Sequence, residues 1–147
     1  MILALDLGNE FGYAVKKSAS IDCGWERLTS GSKNVPGKKF QLFEFWLREL
    51  NDIELTAIYY ELVQWNNGAS ASRAHSGYIA VLQMYAYRRE IPCEGVAVKT
   101  IKKYWTGNGN ASKQDMVDEA RSRGFDDVDN DNCADALALL HYVIEPG

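Results

Sequence analysis

The sequence predicts an α/β fold, a mixed five-stranded sheet flanked by helices. Three observations carry that expectation. The first 28 residues contain three short extended segments joined by turn chemistry, which starts a sheet antiparallel. Beyond them, apolar strand-like segments alternate with helical patterns, which calls for crossovers and parallel pairing. A chain of 147 residues, 46% hydrophobic and 24% charged, suffices for a single domain over 1–147 with one sizeable core.

Each element has its own signal. Segments 2–7, 11–17 and 20–28 read as strands, separated by "GNEFG" and "SAS". In "VPGKKFQLFEFWLREL", Phe40, Phe43, Leu47 and Leu50 recur at helical spacing. "ELTAIYYEL", 54–62, is short and rich in β-formers, a buried strand closing on Glu61. A long helix over 69–90 follows, rich in small residues in its first half, and then a short strand, "EGVAV", at 94–98. "TIKKYWTG" predicts a short helix stopped by Gly107. Ser112 and Asp115 fit a capping box for a helix to about Arg123, and the last helix runs from about Asp131 to Val143.

Composition narrows the function classes. No apolar run reaches the roughly 18–20 residues of a membrane span, and no secretory signal is evident, so a cytoplasmic location is expected. Cys23, Cys93 and Cys133 are odd in number and widely spaced, which points to reduced packing thiols rather than a disulfide framework or zinc site. The net charge of −4 argues against a nonspecific nucleic-acid coat. It does not argue against a nuclease, whose site acids are offset by bound divalent cations. Basic pairs at Lys16 and Lys17, Lys38 and Lys39, and Arg88 and Arg89 read first as solubility.

The acids are the informative residues. Asp6 stands in the apolar run "ILALDLG", where an unpaired charge costs several kcal/mol, of order, unless a cation or donors satisfy it. Glu61 ends the fourth strand, and parallel inner strands bring such ends together. Asp131 and Asp135 are four apart on one helix face. Gathered carboxylates repel unless cations sit among them, and an all-carboxylate set selects Mg²⁺ or Mn²⁺. Two such ions suit in-line phosphodiester hydrolysis. Each acid also has a plainer explanation: a turn former for Asp6, an edge pair for Glu61, helix-start acids for Asp129 and Asp131. Asp135, inside "CADALALL", is the hardest to explain that way. A calcium loop over "DDVDNDN" fails, because its sixth position is Asn132 rather than Gly and its twelfth Ala138 rather than Glu.

Taken together, "ILALDLGNEFGYAV", "YYELVQWNNGASASRAHSGYIAVL", "VKTIKKYWTGNGNASKQDM" and "DNDNCADALALL" resemble the RuvC family of Holliday-junction resolvases, its short bacteriophage and prophage members in particular. The resemblance spans residue 2 to about 142. It implies a ribonuclease H-like fold and a homodimeric endonuclease using Mg²⁺, two ions per site, with Mn²⁺ able to substitute. It also implies paired nicks in four-way or branched DNA that leave 5′-phosphate ends. By position Asp6, Glu61 and Asp135 match family acids. The remaining acid is assigned to Asp131, with Asn132 as a candidate neutral ligand, since bacterial members usually carry their acid where this chain has Asn132. Lys113 matches the family lysine near the scissile phosphate. Lys99 resembles a family basic position along the DNA backbone; Lys102 and Lys103 cluster beside it, and Gly107 and Gly109 of "TGNGN" let backbone approach a phosphate closely, although a plain turn also explains the glycines. Trp65 falls near the family's base-stacking aromatic, with a core tryptophan as the competing reading. Arg73, Gly77 and the nearby alanines lie on the helix resembling the family's dimerisation helix. His75 is expected at a surface or interface, and His141 outside the acid cluster.

Two other classes compete. An actin-like ATPase also starts with D-x-G, but needs two such domains and a far longer chain. A non-catalytic branched-DNA-binding module is the other, against which stand four acids and Lys113 in one pattern.

Overall fold

The structure, a computed structural model, describes residues 1–28, 35–63 and 68–145. Trp65 lies outside them. Three strands open the chain, β1 (Ile2–Asp6), β2 (Glu10–Lys16) and β3 (Ile21–Arg27), followed by α1 (Lys38–Arg48) and a 3₁₀ turn at Glu49–Asp52. Next come β4 (Ala57–Leu62), α2 (Ala69–Arg88), β5 (Cys93–Ala97), α3 (Val98–Thr106), α4 (Lys113–Ser122) and α5 (Asp131–Ile144). The sheet runs in the order β3-β2-β1-β4-β5, antiparallel across β3, β2 and β1 and parallel from β1 through β4 to β5. The expected mixed sheet is therefore present.

Strand alternation divides the core in two. On one face Leu3, Leu5, Phe11, Val15, Ile58 and Tyr60 pack under α1 and α2, against Phe43, Leu47, Tyr78 and Leu82. On the other, Ala4 and Ala14 meet α3, α4 and α5 through Ile101, Trp105, Met116 and a run of α5 residues from Cys133 to Leu140. Small residues on that face let α5 lie against the strands. At Gly12 the approach is closest, since a Cβ there would stand 1.8 Å from the Asn132 carbonyl oxygen. Gly77 serves the opposite face, where the Phe40 ring takes up its missing side chain at 2.4 Å. The small residue thus admits α1 of the same chain.

Element ends differ modestly from the sequence expectations. β4 starts at Ala57, not 54, because the residues ahead of it are used otherwise: Leu55 N–H closes a turn on Ile53, and Thr56 donates to the Met1 carbonyl from both N–H and Oγ1. Val98 ends no strand; it begins α3 directly. The helix stop at Gly107 holds, with φ 86 and its N–H on the Lys103 carbonyl, and so does the Ser112–Asp115 capping box. Among the described residues no helix is long and apolar enough to cross a membrane.

Candidate metal centre

Register puts the first two acids side by side. β1 and β4 pair parallel with Leu5 opposite Tyr60, so the next residues, Asp6 and Glu61, leave the sheet together. Alternation from Ala4 and Tyr59 turns both toward α5. There α5, seated on Gly12, presents Asp135 one turn in. Oxygen atoms of Asp6, Glu61 and Asp135 lie within 4.8 Å of one another. Glu61 is buried, while Asp6 and Asp135 are partly so.

Electrostatics show the strain of this gathering. Burial first, then the charges of Glu61 and Asp135, push the Asp6 carboxyl well above the usual carboxylate range. Burial likewise raises Glu61. Asp135 is pushed up to about 8 by burial and by the charges of Glu61 and Asp131. One Asp135 oxygen, Oδ1, is buried with no hydrogen-bond partner. An acceptor so placed, among other oxygens and without a donor, fits a divalent cation. The donor set is oxygen only, which fits Mg²⁺ or Mn²⁺ rather than zinc.

The other expected residues take graded positions. Asp131 opens α5 outside the tight triad, yet its charge acts on all three acids. Lys113 Nζ stands 3.9 Å from Asp131 Oδ2 with its side chain 86% exposed. Lys102, from α3, counters the charge of Glu61 and Asp135. Lys99 and Lys103 are exposed on the same helix, and the Gly109 backbone packs beside Lys99. Gly107 is the left-handed cap of α3, as a plain turn requires. Asn132 contributes its backbone, an N–H to the capping Asn130 side chain and a carbonyl on Gly12. His141 is remote from the acids, held by the Leu137 carbonyl and packed on Trp105.

His75 corrects its expectation. It is 5% exposed, with Nδ1 3.4 Å from the Leu7 carbonyl, and its charge acts on Glu61. It does not take the surface position expected of it: the helix turns it inward, toward Leu7 just past the end of β1. Its sequence signal was its place on the face of α2 shared with Tyr78, Leu82 and Tyr85.

No family model matches the chain. No curated protein matches it. Solved structures do match. One is Thermus thermophilus RuvC in complex with Holliday junction substrate, at TM-score 0.74 and 16% identity, covering 93% of this chain and 88% of that one. Another is a Thermus thermophilus RuvC structure, at TM-score 0.71 and 15% identity, covering 93% and 89%. At such identities the likeness is one of fold.

Proposed function

We propose that this chain, with the fold of RuvC, is a divalent-metal-dependent endonuclease that resolves four-way DNA junctions. The observation that carries the reading is the triad of Asp6, Glu61 and Asp135, with its orphaned Asp135 oxygen. A structural core would not keep three mutually repelling carboxylates within 4.8 Å. Asp6, Glu61 and Asp135 would hold Mg²⁺, with Asp131 completing the set from the rim. Such ions, bound there, would activate a water for attack on the phosphate and stabilise the leaving oxygen.

The chain's own groups do the rest. Lys113, largely exposed and tied to one carboxylate at 3.9 Å, reaches out to bind a phosphate oxygen and offset developing charge. Lys102 offsets the acids from the α3 side, and Lys99 and Lys103 follow the DNA backbone on that helix. Nicking two strands in concert takes two such sites, hence two copies of the chain.

The test is cleavage of a labelled synthetic four-way junction beside a matched linear duplex, with Mg²⁺ or Mn²⁺ and then with EDTA. Paired nicks near the branch, dependent on metal and absent from the duplex, are expected. Junction binding with no nick in either metal would favour a non-catalytic branched-DNA-binding module.

A further inference from the structure

The face of the sheet that receives α5 brings two thiols together. Gly12 and Ala14 point to that face, and β3 pairs with β2 so that Cys23 lies opposite Ala14. Cys133 sits in the first turn of α5, one residue past the Asn132 carbonyl that rests on Gly12. Gly12 and Ala14 leave at most a methyl between helix and strand, and Cys23 packs against the core that contains Cys133. Each thiol acts on the other: Cys133 draws Cys23 below its ordinary range, while Cys23 and burial push Cys133 well above its own. Both are free in this structure. Cys133 is buried, whereas Cys23 is half-buried and lines a cleft of about 540 Å³ with Tyr13, Asp22, Phe125, Asp126 and Asp127. Cys93, on β5 at the opposite edge of the sheet, stands apart from the pair.

We propose that Cys23 and Cys133 are an oxidisable dithiol whose disulfide latches the first turn of α5 to the edge strand β3. Three acids, Asp22, Asp126 and Asp127, line the cleft and disfavour an anionic oxidant, so the oxidant class is a small neutral hydroperoxide. The peroxide O–O bond breaks as one oxygen passes to the Cys23 sulfur, giving a sulfenic acid and an alcohol or water. The Cys133 sulfur then forms the S–S bond and displaces that oxygen as water. Two thiols lose two electrons and two protons, and the hydroperoxide is reduced. The bridge would tie the helix start carrying Asp131 and, one turn on, Asp135 to the edge strand, and so change where those acids stand relative to Asp6 and Glu61. The consequence for nicking rests on the function proposed above; the cross-link itself does not.

The experiment treats the whole reduced protein with hydrogen peroxide, alkylates the remaining thiols, and maps the peptides by mass. The expected result is one bridge joining Cys23 to Cys133, with Cys93 alkylated and dithiothreitol reversing the change. The bridged form should melt roughly 5 °C or more higher, because the closed loop is long. Its Mg²⁺-dependent junction nicking should fall about 10-fold and recover on reduction, the scale expected for catalytic groups displaced by an ångström or less. Cys23→Ser should form no bridge, and its nicking should ignore peroxide; Cys133→Ala serves as the second variant. Three alkylated thiols after peroxide, a sulfenic or sulfinic Cys23 that never bridges, or an intermolecular bridge would each overturn the proposal. A bridge that leaves nicking unchanged overturns the latch. Reduced protein that never nicks defeats the functional reading instead, while the peptide map still decides the bridge.

Discussion

Asp6 sits where a hydrophobic strand would ordinarily carry another aliphatic residue, and its neighbours explain why it does not. Its carboxyl, like that of Asp135, is destabilised by burial and by the other acids, so each acid lowers the stability of the metal-free fold. Asp6→Asn should therefore melt at or above the parent temperature without metal, lose most of the stabilisation Mg²⁺ gives the parent, and slow nicking by roughly 100-fold or more. Parent-like nicking by that variant would remove Asp6 from the site. Lys113→Ala tests the phosphate contact. Its single ion pair is exposed, so melting should hardly change, while junction turnover falls by about 10²-fold. Unchanged turnover would leave Lys113 a solvated first-turn lysine. At this scale the sequence was legible for residues whose chemistry contradicts their setting, such as an acid in an apolar run. His75 shares a helix face with Tyr78, Leu82 and Tyr85, so its burial was open to reading, but the approach of Cys23 to Cys133 was not. That approach depends on which side of a helix meets which strand, a long-range relation that local pattern does not encode.

At the scale of elements, β1, β4 and α5 each bring an acid, and Gly12 sets the distance between helix and sheet. Gly12→Ala places a Cβ against the Asn132 backbone, which no rotamer change relieves. The variant should lose roughly 3 kcal/mol in urea unfolding, and Mg²⁺ should no longer raise its melting temperature, because α5 is pushed off the acids of β1 and β4. A milder change, Ser112→Ala, removes the capping box of α4 and should cost about 1 kcal/mol with metal stabilisation intact. Helix signals of this kind were read from sequence almost to the residue, because capping and left-handed glycine are local chemistry. The start of β4 was not, since the Met1 carbonyl that claims Thr56 comes from 55 residues away. The displacement of Asp131 from the tight triad was likewise invisible: spacing of four puts two acids on one face but does not say how far along the helix the partner carboxylates lie.

For the whole molecule, the acid cluster sets a pH response. Asp135 has a folded-state pKa of about 8 against an ordinary value of 3.8, so the native state binds a proton that the unfolded chain releases. Its stabilising contribution is complete below about pH 4 and is lost as the pH rises toward 8. Asp6 and Glu61, both raised, act with the same sign. The metal-free protein should therefore melt at falling temperature from pH 5 to 8.5, by several degrees. Mg²⁺ requires the deprotonated acids, so the gain in melting temperature on adding it should grow over the same range. Scanning calorimetry with EDTA and with Mg²⁺ measures both, and a flat profile would mean the carboxylates are not crowded in solution.

The acids of this site are spread along the sequence, at residues 6, 61 and 135, and the last of them rides on α5. A polypeptide leaving the ribosome thus carries Asp6 and Glu61 for most of its synthesis without a third carboxylate to join them. Until α5 emerges and settles onto Gly12, the nascent chain lacks the complete acid triad. Order of translation alone therefore delays the assembled triad until the sheet and the helices before α5 have been made.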